Sequence, residues 1–246
     1  SNRNKYNGSA GVNYRNGKIN AYANYSFRYN PLYGNGTMMR ENFFTDSTWY
    51  LNQYSNSQGT PVANIVKTGF DLFLNDNNTI GFSTTYNRKS DLDAQTIEYQ
   101  NLDFSKTLTA LSFREIEEKE ISENLDVVAN IKHLFNKQKQ TITADFSYSH
   151  SQEKSSEKFS QQDFFTNYTP KPVNPSLQST FNERKYSLAT FQSDYVHPLR
   201  EGSKMEMGMK GIVRGIENDF LFENFDYPSN DWKTDSLRNT NYLFRE

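Results

Sequence analysis

Three histidines have the widest range of possible chemistry in this sequence, because histidine can bind a metal ion or transfer a proton near neutral pH. They are His133, His150 and His197. A zinc-binding helix places two histidines one helical turn apart, and no pair here has that spacing. His133 and His197 each lie next to a predicted tight turn. We therefore predict structural positions for the histidines and no metal site.

Acidic side chains are concentrated in one segment, at Glu115, Glu117, Glu118, Glu120 and Glu123. Two carboxyl groups in a cleft can act as general acid and base. The same segment contains lysine, which favours solvated or lumen-facing carboxylates over a catalytic pair. Asp71, Asp76 and Asp219 offer the oxygen ligands that Ca²⁺ prefers, but the sequence has no EF-hand spacing.

The motifs that commonly identify an enzyme are absent from the sequence. It has no Gly-rich phosphate loop, no Gly-x-Ser-x-Gly elbow and no cysteine nucleophile. We therefore expect no enzymatic activity and no cofactor. A barrel protease or lipase would need acidic, histidine or serine clusters at the rim of its loops, and the scattered histidines disfavour that alternative.

Aromatic side chains in polar segments are the best candidates for ligand binding, because they can stack on a sugar or a chelate. The candidates are Trp49, Tyr50, Phe164, Phe165, Tyr168 and Trp232. The alternative is that these rings pack the loops against one another. The lysines and arginines predicted to face a lumen, which are Lys67, Arg88, Lys132, Lys210 and Arg214, are expected to contact a plug or water in the pore.

Composition limits the class of protein. The chain has 246 residues, a formal net charge of -2, 35% hydrophobic residues and no cysteine. No run of 18 apolar residues occurs, so no transmembrane helix is predicted. The near-neutral charge gives no reason to expect a nucleic-acid partner. A low mean hydropathy does not argue against a membrane barrel, whose strands are apolar only at every second position.

Four tight-turn sequences recur with a period of about 60 residues, which predicts an array of hairpins. They are Arg15-Asn16-Gly17-Lys18, Asn75-Asp76-Asn77-Asn78, Asn136-Lys137-Gln138-Lys139 and Arg200-Glu201-Gly202-Ser203. The Asn16-Gly17 pair suits the centre of a two-residue type I′ turn. After the first turn, Ile19, Ala21, Ala23, Tyr25 and Phe27 alternate with polar residues, which is typical of a β-strand with one apolar face.

The predicted fold is all-β: antiparallel up-and-down hairpins of a transmembrane β-barrel, with about eight long strands and part of a ninth. We treat residues 1–246 as one partial barrel domain. Its four hairpins span about residues 6–30, 63–88, 123–150 and 186–215, and long polar loops join them. Transmembrane barrels combine short periplasmic turns with long outer loops and aromatic girdles at both interfaces.

The sequence also resembles a known family in three stretches and at its end. These are Gly11–Asn30, Lys132–Tyr148, Asp194–Arg214 and Asn241–Glu246. In them the chain is similar to the outer-membrane β-barrel family of Bacteroidetes, which is grouped with the TonB-dependent receptors. The resemblance identifies a barrel wall and no substrate.

The resemblance implies an internal piece of a larger barrel in the bacterial outer membrane. Its implied partners are the lipid of that membrane, a plug domain and the TonB system. The implied function is energised uptake of a small nutrient, with a metal chelate or a glycan as possible substrates. The alternative is a secreted or surface-exposed soluble β-protein that serves as a binding module or adhesin, whose apolar face would pack against a second sheet.

Overall fold

The computed structural model describes residues 4–45, 47–136, 139–200 and 202–246. Within these ranges the chain forms one antiparallel sheet of twelve strands. The strands are β1 (Tyr6–Asn16), β2 (Ile19–Tyr29), β3 (Leu32–Phe43), β4 (Thr48–Gly59), β5 (Val62–Asn75), β6 (Asn78–Leu102), β7 (Leu108–Leu134), β8 (Thr141–Phe164), β9 (Ser176–Arg200), β10 (Ser203–Asp226), β11 (Asp231–Thr234) and β12 (Thr240–Arg245). In this described part, no helix is long and apolar enough to span a bilayer.

The order of neighbouring strands follows the chain, as in an up-and-down barrel. The main path is β1-β2-β5-β6-β7-β8-β9-β10-β11, and β12 also pairs with β10. The eight predicted long strands correspond to β1, β2 and β5 to β10, and β12 is the start of the ninth. The all-β antiparallel fold predicted from the sequence is therefore confirmed.

The hairpin of β3 and β4 extends β2 and β5 outward instead of forming a separate layer. β4 pairs with the far end of β6, beyond the part of β6 that pairs with β5. Pro31 lies between β2 and β3, and Pro61 lies between β4 and β5. Proline has no backbone N–H to donate to a ladder. The two prolines therefore interrupt two strands that otherwise continue on both sides.

The segments predicted to be long loops are largely strand, and this corrects the sequence interpretation. Residues 31–62, 89–122, 151–185 and 216–241 contribute β3, β4 and the outer halves of β6 to β10. β7 is 27 residues long, whereas about 9–11 residues cross a bilayer. Both faces of these outer halves are mostly polar, so the regular period-two apolar pattern that marks a strand is absent there.

The first tight turn is displaced by one residue from its predicted position. Asn16 pairs with Ile19, so Gly17 and Lys18 are the central residues. Gly17 has a φ of 50°, and Lys18 is not among the positive-φ residues. This matches a type II′ turn, which needs glycine at its first central position, and not the predicted type I′ turn. Lys137, Gln138 and Glu201, in two of the other predicted turns, lie outside the described residues.

The register of the strands places the apolar residues on one face of the sheet, which we call the outer face. Residues opposite each other in antiparallel strands share a face. One outer-face row consists of Val12, Ala23, Thr68, Thr84, Val127, Tyr148, Ala189 and Val213. The adjacent row consists of Tyr14, Ala21, Phe70, Phe82, Ala129, Phe146, Phe191 and Gly211. Many of these side chains are exposed, among them Val12, Phe70, Phe146 and Val213.

The opposite, inner face is mostly polar, and four of the five predicted lumen-facing cations lie on it. Lys67, Lys132, Lys210 and Arg214 have the register of the inner face. Arg88 does not, because it is two residues from Tyr86 and shares the outer face with it. Arg88 forms an ion pair with Glu123, its register partner, at 3.3 Å. The sequence assignment of Arg88 to the lumen is therefore wrong.

The outer face has an apolar band with the height expected for a membrane. Along β7 the band runs from His133 to Leu125, and the next outer-face residue is Glu123. Eight steps of about 3.3 Å, tilted by about 40°, span roughly 20 Å. This is close to the apolar band of about 25 Å of outer-membrane barrels.

Aromatic and polar rings meet at the turn end of this band. The ring centroids of His133 and Phe135 are 4.5 Å apart, and those of Phe135 and Tyr195 are 6.1 Å apart. The Tyr195 hydroxyl and His197 Nδ1 are 2.9 Å apart. Amphipathic rings at this level are typical of the girdle at a membrane–water interface.

A charge on the outer face should prevent insertion of the barrel. Ala23→Arg and Phe146→Arg each place a cation inside the apolar band, where it costs about 2–4 kcal/mol at the bilayer midplane. We expect much less assembled protein in outer-membrane fractions, measured by heat-modifiable electrophoretic mobility.

The matched controls are Asn24→Arg and Asp145→Arg, which place the same charge one residue away on the inner face. They should assemble at near wild-type levels. Equal assembly of the two pairs of variants would contradict the face assignment.

Candidate functional site

The aromatic residues predicted to bind a ligand lie at three separate places. Trp49 and Tyr50 begin β4, Phe164 ends β8 with Phe165 and Tyr168 in the turn that follows, and Trp232 lies in β11. The structure does not bring these six side chains together into one pocket. Each group therefore has to be judged by its own contacts.

Tyr168 fixes the turn after β8 onto the outer face. Its hydroxyl donates a hydrogen bond of 2.9 Å to Glu98 Oε1, and Gln100 Nε2 donates one of 3.2 Å to the hydroxyl. Phe113 contacts Phe164 with centroids 4.9 Å apart and Tyr168 with centroids 6.3 Å apart. Tyr168 has a φ of 66°, a conformation that a bulky residue adopts only when its surroundings require it. Phe164 and Tyr168 thus pack the turn against the sheet.

The other candidate rings have local partners. Trp49 donates a hydrogen bond of 3.2 Å to Ser47 Oγ. The ammonium group of Lys106 lies 5.2 Å from the centre of the Tyr50 ring. Trp232 packs edge-on against Phe225 at 5.4 Å. Tyr168, Phe165 and Trp49 are the most exposed of the six side chains, at 51%, 49% and 42%.

The acidic segment is divided between the two faces of β7. Glu115, Glu117 and Glu123 lie on the outer face, whereas Glu118 and Glu120 lie on the inner face. Because β6 pairs with β7 along its whole length, Glu118 is opposite Asp93 and Glu120 is opposite Asp91. The sequence analysis grouped the five glutamates by position in the chain, but the register separates them.

Five carboxylates form a cluster on the inner face, beyond the apolar band. We call this cluster, which consists of Asp91, Asp93, Glu118, Glu120 and Glu157, the carboxylate patch. Asp93, Glu118 and Glu157 are direct register partners on three adjacent strands. Like charges placed directly opposite each other destabilise a sheet. Three acids in one row therefore need an explanation other than stability.

Cations offset only part of this charge. Lys89 Nζ lies 3.3 Å from Asp91 Oδ2 and 3.4 Å from Glu120 Oε1. Arg184 forms an ion pair with Glu153, a neighbour of the patch on the same face. In the part of the chain that the structure describes, the carboxylates of Asp93, Glu118 and Glu157 form no ion pair and accept no side-chain hydrogen bond.

Desolvation and mutual repulsion raise the pKa of all three of these carboxyl groups. Partial burial is the largest cause for the pKa of Glu118, followed by the charges of Glu120, Asp93, Asp91 and Glu153. Burial and then the charge of Glu118 raise the pKa of Glu157, while Arg114 lowers it. Burial and then the charge of Asp91 raise the pKa of Asp93, an effect that Lys89 opposes. The patch therefore favours protonation or a neighbouring cation.

Asp91 is the most buried member of the patch, at 7% exposed. Its Oδ1 has no hydrogen-bond partner among the described residues. A Cβ atom placed on Gly59 would overlap Asp93 Oδ1 and lie 3.7 Å from Asp91 Oδ1. The two carboxylates therefore converge above Gly59, where a larger residue would displace the Asp93 carboxylate.

The histidines have no part in this cluster, and the patch has no preformed metal geometry. His133, His150 and His197 all have the register of the outer face. Among residues 4–45, 47–136, 139–200 and 202–246, no group of three or more His, Cys, Asp or Glu side chains is placed to hold a metal ion.

Sequence reasoning missed Asp91 and Asp93 because it treated residues 89–122 as a loop. The turn at 103–107 joins β6 to β7 and so sets their register. In it the backbone amides of Ser105 and Thr107 donate hydrogen bonds to the Asp103 carboxylate. With that turn recognised, Asp93 and Glu118 would have been predicted to pair.

Removing one charge from the patch should stabilise the protein. Glu118→Gln keeps the size of the side chain and relieves repulsion on both sides, so we expect the free energy of unfolding at neutral pH to rise by about 0.2–1 kcal/mol. The measurement is urea unfolding in lipid or detergent. The control is Glu117→Gln on the outer face, which should give no gain.

The increase in the free energy of unfolding that Glu118→Gln causes should depend on pH. A carboxyl group with a raised folded-state pKa contributes stability that is fully present below its unfolded pKa and is lost as the pH rises through the folded pKa. The difference between Glu118→Gln and wild type should therefore vanish once the pH falls below the ordinary glutamate pKa. The charged groups that surround Glu118 and set this behaviour are Asp91, Asp93, Glu120, Glu153 and Glu157. A gain that persisted at low pH would contradict the repulsion account.

Comparison with known protein families agrees with this architecture. Residues 133–246, a segment just short of half the chain, match the family model described as the outer membrane protein beta-barrel family. This segment contains β8 to β12 and the end of β7. No curated protein matches the sequence. The antiparallel sheet and this match together identify an outer-membrane β-barrel protein, and its location is the bacterial outer membrane.

Proposed function

We propose that this chain forms part of the wall of a receptor of the TonB-dependent type, which takes up a small nutrient across the outer membrane without enzymatic activity. The observation that supports the proposal is the continuation of β6 to β10 far beyond the apolar band. These strands are 24 to 27 residues long, more than twice the length that crosses a bilayer. A passive pore needs only the membrane-spanning part.

The extended walls provide an ordered inner surface outside the membrane, where a ligand can be held before transport. That surface includes the carboxylate patch and, further from the membrane, Arg114. The Arg114 guanidinium lies 5.7 Å from the centre of the Tyr99 ring and 5.8 Å from that of Phe159, and its Nε donates a hydrogen bond of 3.0 Å to Gln161. Rings, amides and charges fixed on rigid strands are the features of a binding site that is formed before the ligand arrives.

The wider context of the proposal comes from the family resemblance. A plug domain inside the barrel and the TonB system in the periplasm are the partners it implies, with bacteria of the Bacteroidetes as the source. A metal chelate and a glycan are the two substrate classes to test first. The barrels of outer-membrane transporters have a plugged lumen, whereas porins have an aqueous channel.

Energised uptake distinguishes a receptor from a passive channel. Cells producing the intact protein, and cells lacking it, are supplied with labelled ferric chelates or oligosaccharides in the presence and absence of a protonophore. We expect uptake of at least one substrate to need both the protein and the proton-motive force. The purified protein should give no steady conductance in planar bilayers.

The variant Arg114→Gln alters the proposed binding surface and leaves the barrel intact. It should assemble normally and lose uptake, because it removes the cation between Tyr99 and Phe159. Uptake that the protonophore leaves unchanged, together with steady conductance, would identify a passive channel and contradict the proposal.

A further inference from the structure

The carboxylate patch has an arrangement that the sheet itself does not require. Elsewhere in the outer halves of the strands, many charged neighbours are of opposite sign, as in the pairs of Arg88 with Glu123 and of Lys154 with Glu183. Where the acids Glu183 and Asp219 lie opposite each other, Lys154 and Lys185 lie within 3.6 Å of the Glu183 carboxylate. Within the patch, the register places Asp93 beside Glu118 and Glu118 beside Glu157. Three carboxylates in one row cost stability, and either protonation or a cation between them relieves that cost.

A second observation points to a ligand independently of the row. Asp91 is 7% exposed, and its Oδ1 has no hydrogen-bond partner among the described residues. A buried polar atom without a partner destabilises the folded protein. The ion pair with Lys89 involves the other oxygen, Asp91 Oδ2. The acceptor without a partner is therefore Oδ1, which lies above Gly59, as does the Asp93 carboxylate.

The surface next to the patch is apolar. Ile116 and Phe159 are register partners on the same inner face, one row further from the membrane than Glu118 and Glu157. The rows are separated by about 7 Å along the strands. Beyond them, Arg114 adds a positive charge, which disfavours a second cationic group at that distance.

We propose that the carboxylate patch binds the amino group of an organic amine whose apolar body lies on Ile116 and Phe159. The ammonium group donates hydrogen bonds to the carboxylates of Asp91 and Asp93 above Gly59, with Glu118 beside them. An ammonium group, which has three donors, can satisfy several carboxylate oxygens at once. A metal ion is the less suitable ligand, because the described side chains include no preformed set of three ligands.

This inference rests on the proposed function in one respect, since it gives the charge of the molecule that the receptor takes up. Binding by the purified protein tests it without any need for energised uptake. Binding without energised uptake would leave the inference standing and reject the receptor proposal. Energised uptake without amine binding would reject the inference alone.

The experiment compares 2-phenylethylamine with 2-phenylethanol, a neutral molecule of nearly the same shape. The intact protein in lipid nanodiscs is titrated with each compound at low ionic strength, and binding is followed by calorimetry and by saturation-transfer NMR. We expect saturable binding of the amine that weakens with added salt, and no saturable binding of the alcohol.

Three variants locate the site. Asp93→Asn and Glu118→Gln each remove one charge, and we expect each to weaken amine binding roughly tenfold or more, since a hydrogen bond to a charged group has been lost. Gly59→Ala changes no charge but occupies the space of the Asp93 carboxylate, and it should also weaken binding. The control is Glu117→Gln on the outer face, which should bind like wild type.

Several results would overturn the proposal. One is equal binding of the amine and the alcohol, which would mean that only the apolar surface is recognised. Another is amine binding that is unchanged in Asp93→Asn and Glu118→Gln. A third is binding of Ca²⁺ alone that these variants abolish while the amine fails to bind, which would assign the patch to a metal. The amine–alcohol comparison on wild-type protein remains decisive even if a variant fails to assemble.

Discussion

The cross-strand register is the constraint on which the rest of the structure depends. In lipid, every backbone N–H and C=O group needs a partner, and only a continuous ladder provides one along a strand. The same ladder decides which side chains share a face, because a shift by one residue would move each of them to the other side. Phe82, Ala129 and Phe146 meet lipid together because β6, β7 and β8 keep one register along their length.

The same register also determines which side chains line the inner face of the strands beyond the membrane. Within the apolar band, the alternation separates lipid-facing from lumen-facing residues. In the outer halves of the same strands, it places the ion pairs of Arg88 with Glu123 and of Lys154 with Glu183 on the outer face and the carboxylate patch on the inner face. Glu117 and Glu118 are adjacent in the chain, yet only Glu118 lies in the carboxylate patch. The inner patch is therefore a consequence of the same hydrogen bonds that position the membrane band.

The sequence predicted the strands in which apolar residues on one face alternate with polar residues on the other. The alternation from Ile19 to Phe27 gave the correct strand and face, because one side of it is apolar. The outer halves were missed because mostly polar residues on both faces leave no period-two pattern. The pairing of Asp93 with Glu118 depends on long-range register, which composition does not reveal.

The adjacent residues Val127 and Val128 offer the most direct test of the central claim, that register and not hydropathy assigns each side chain to its face. The chain contains no cysteine, so a nitroxide can be attached at Val127→Cys or Val128→Cys without background, and its collisions with oxygen and with a water-soluble nickel chelate measured by electron paramagnetic resonance in bilayers. The account predicts a lipid environment at position 127 and an aqueous or protein environment at position 128. Equal lipid exposure of both positions would contradict it.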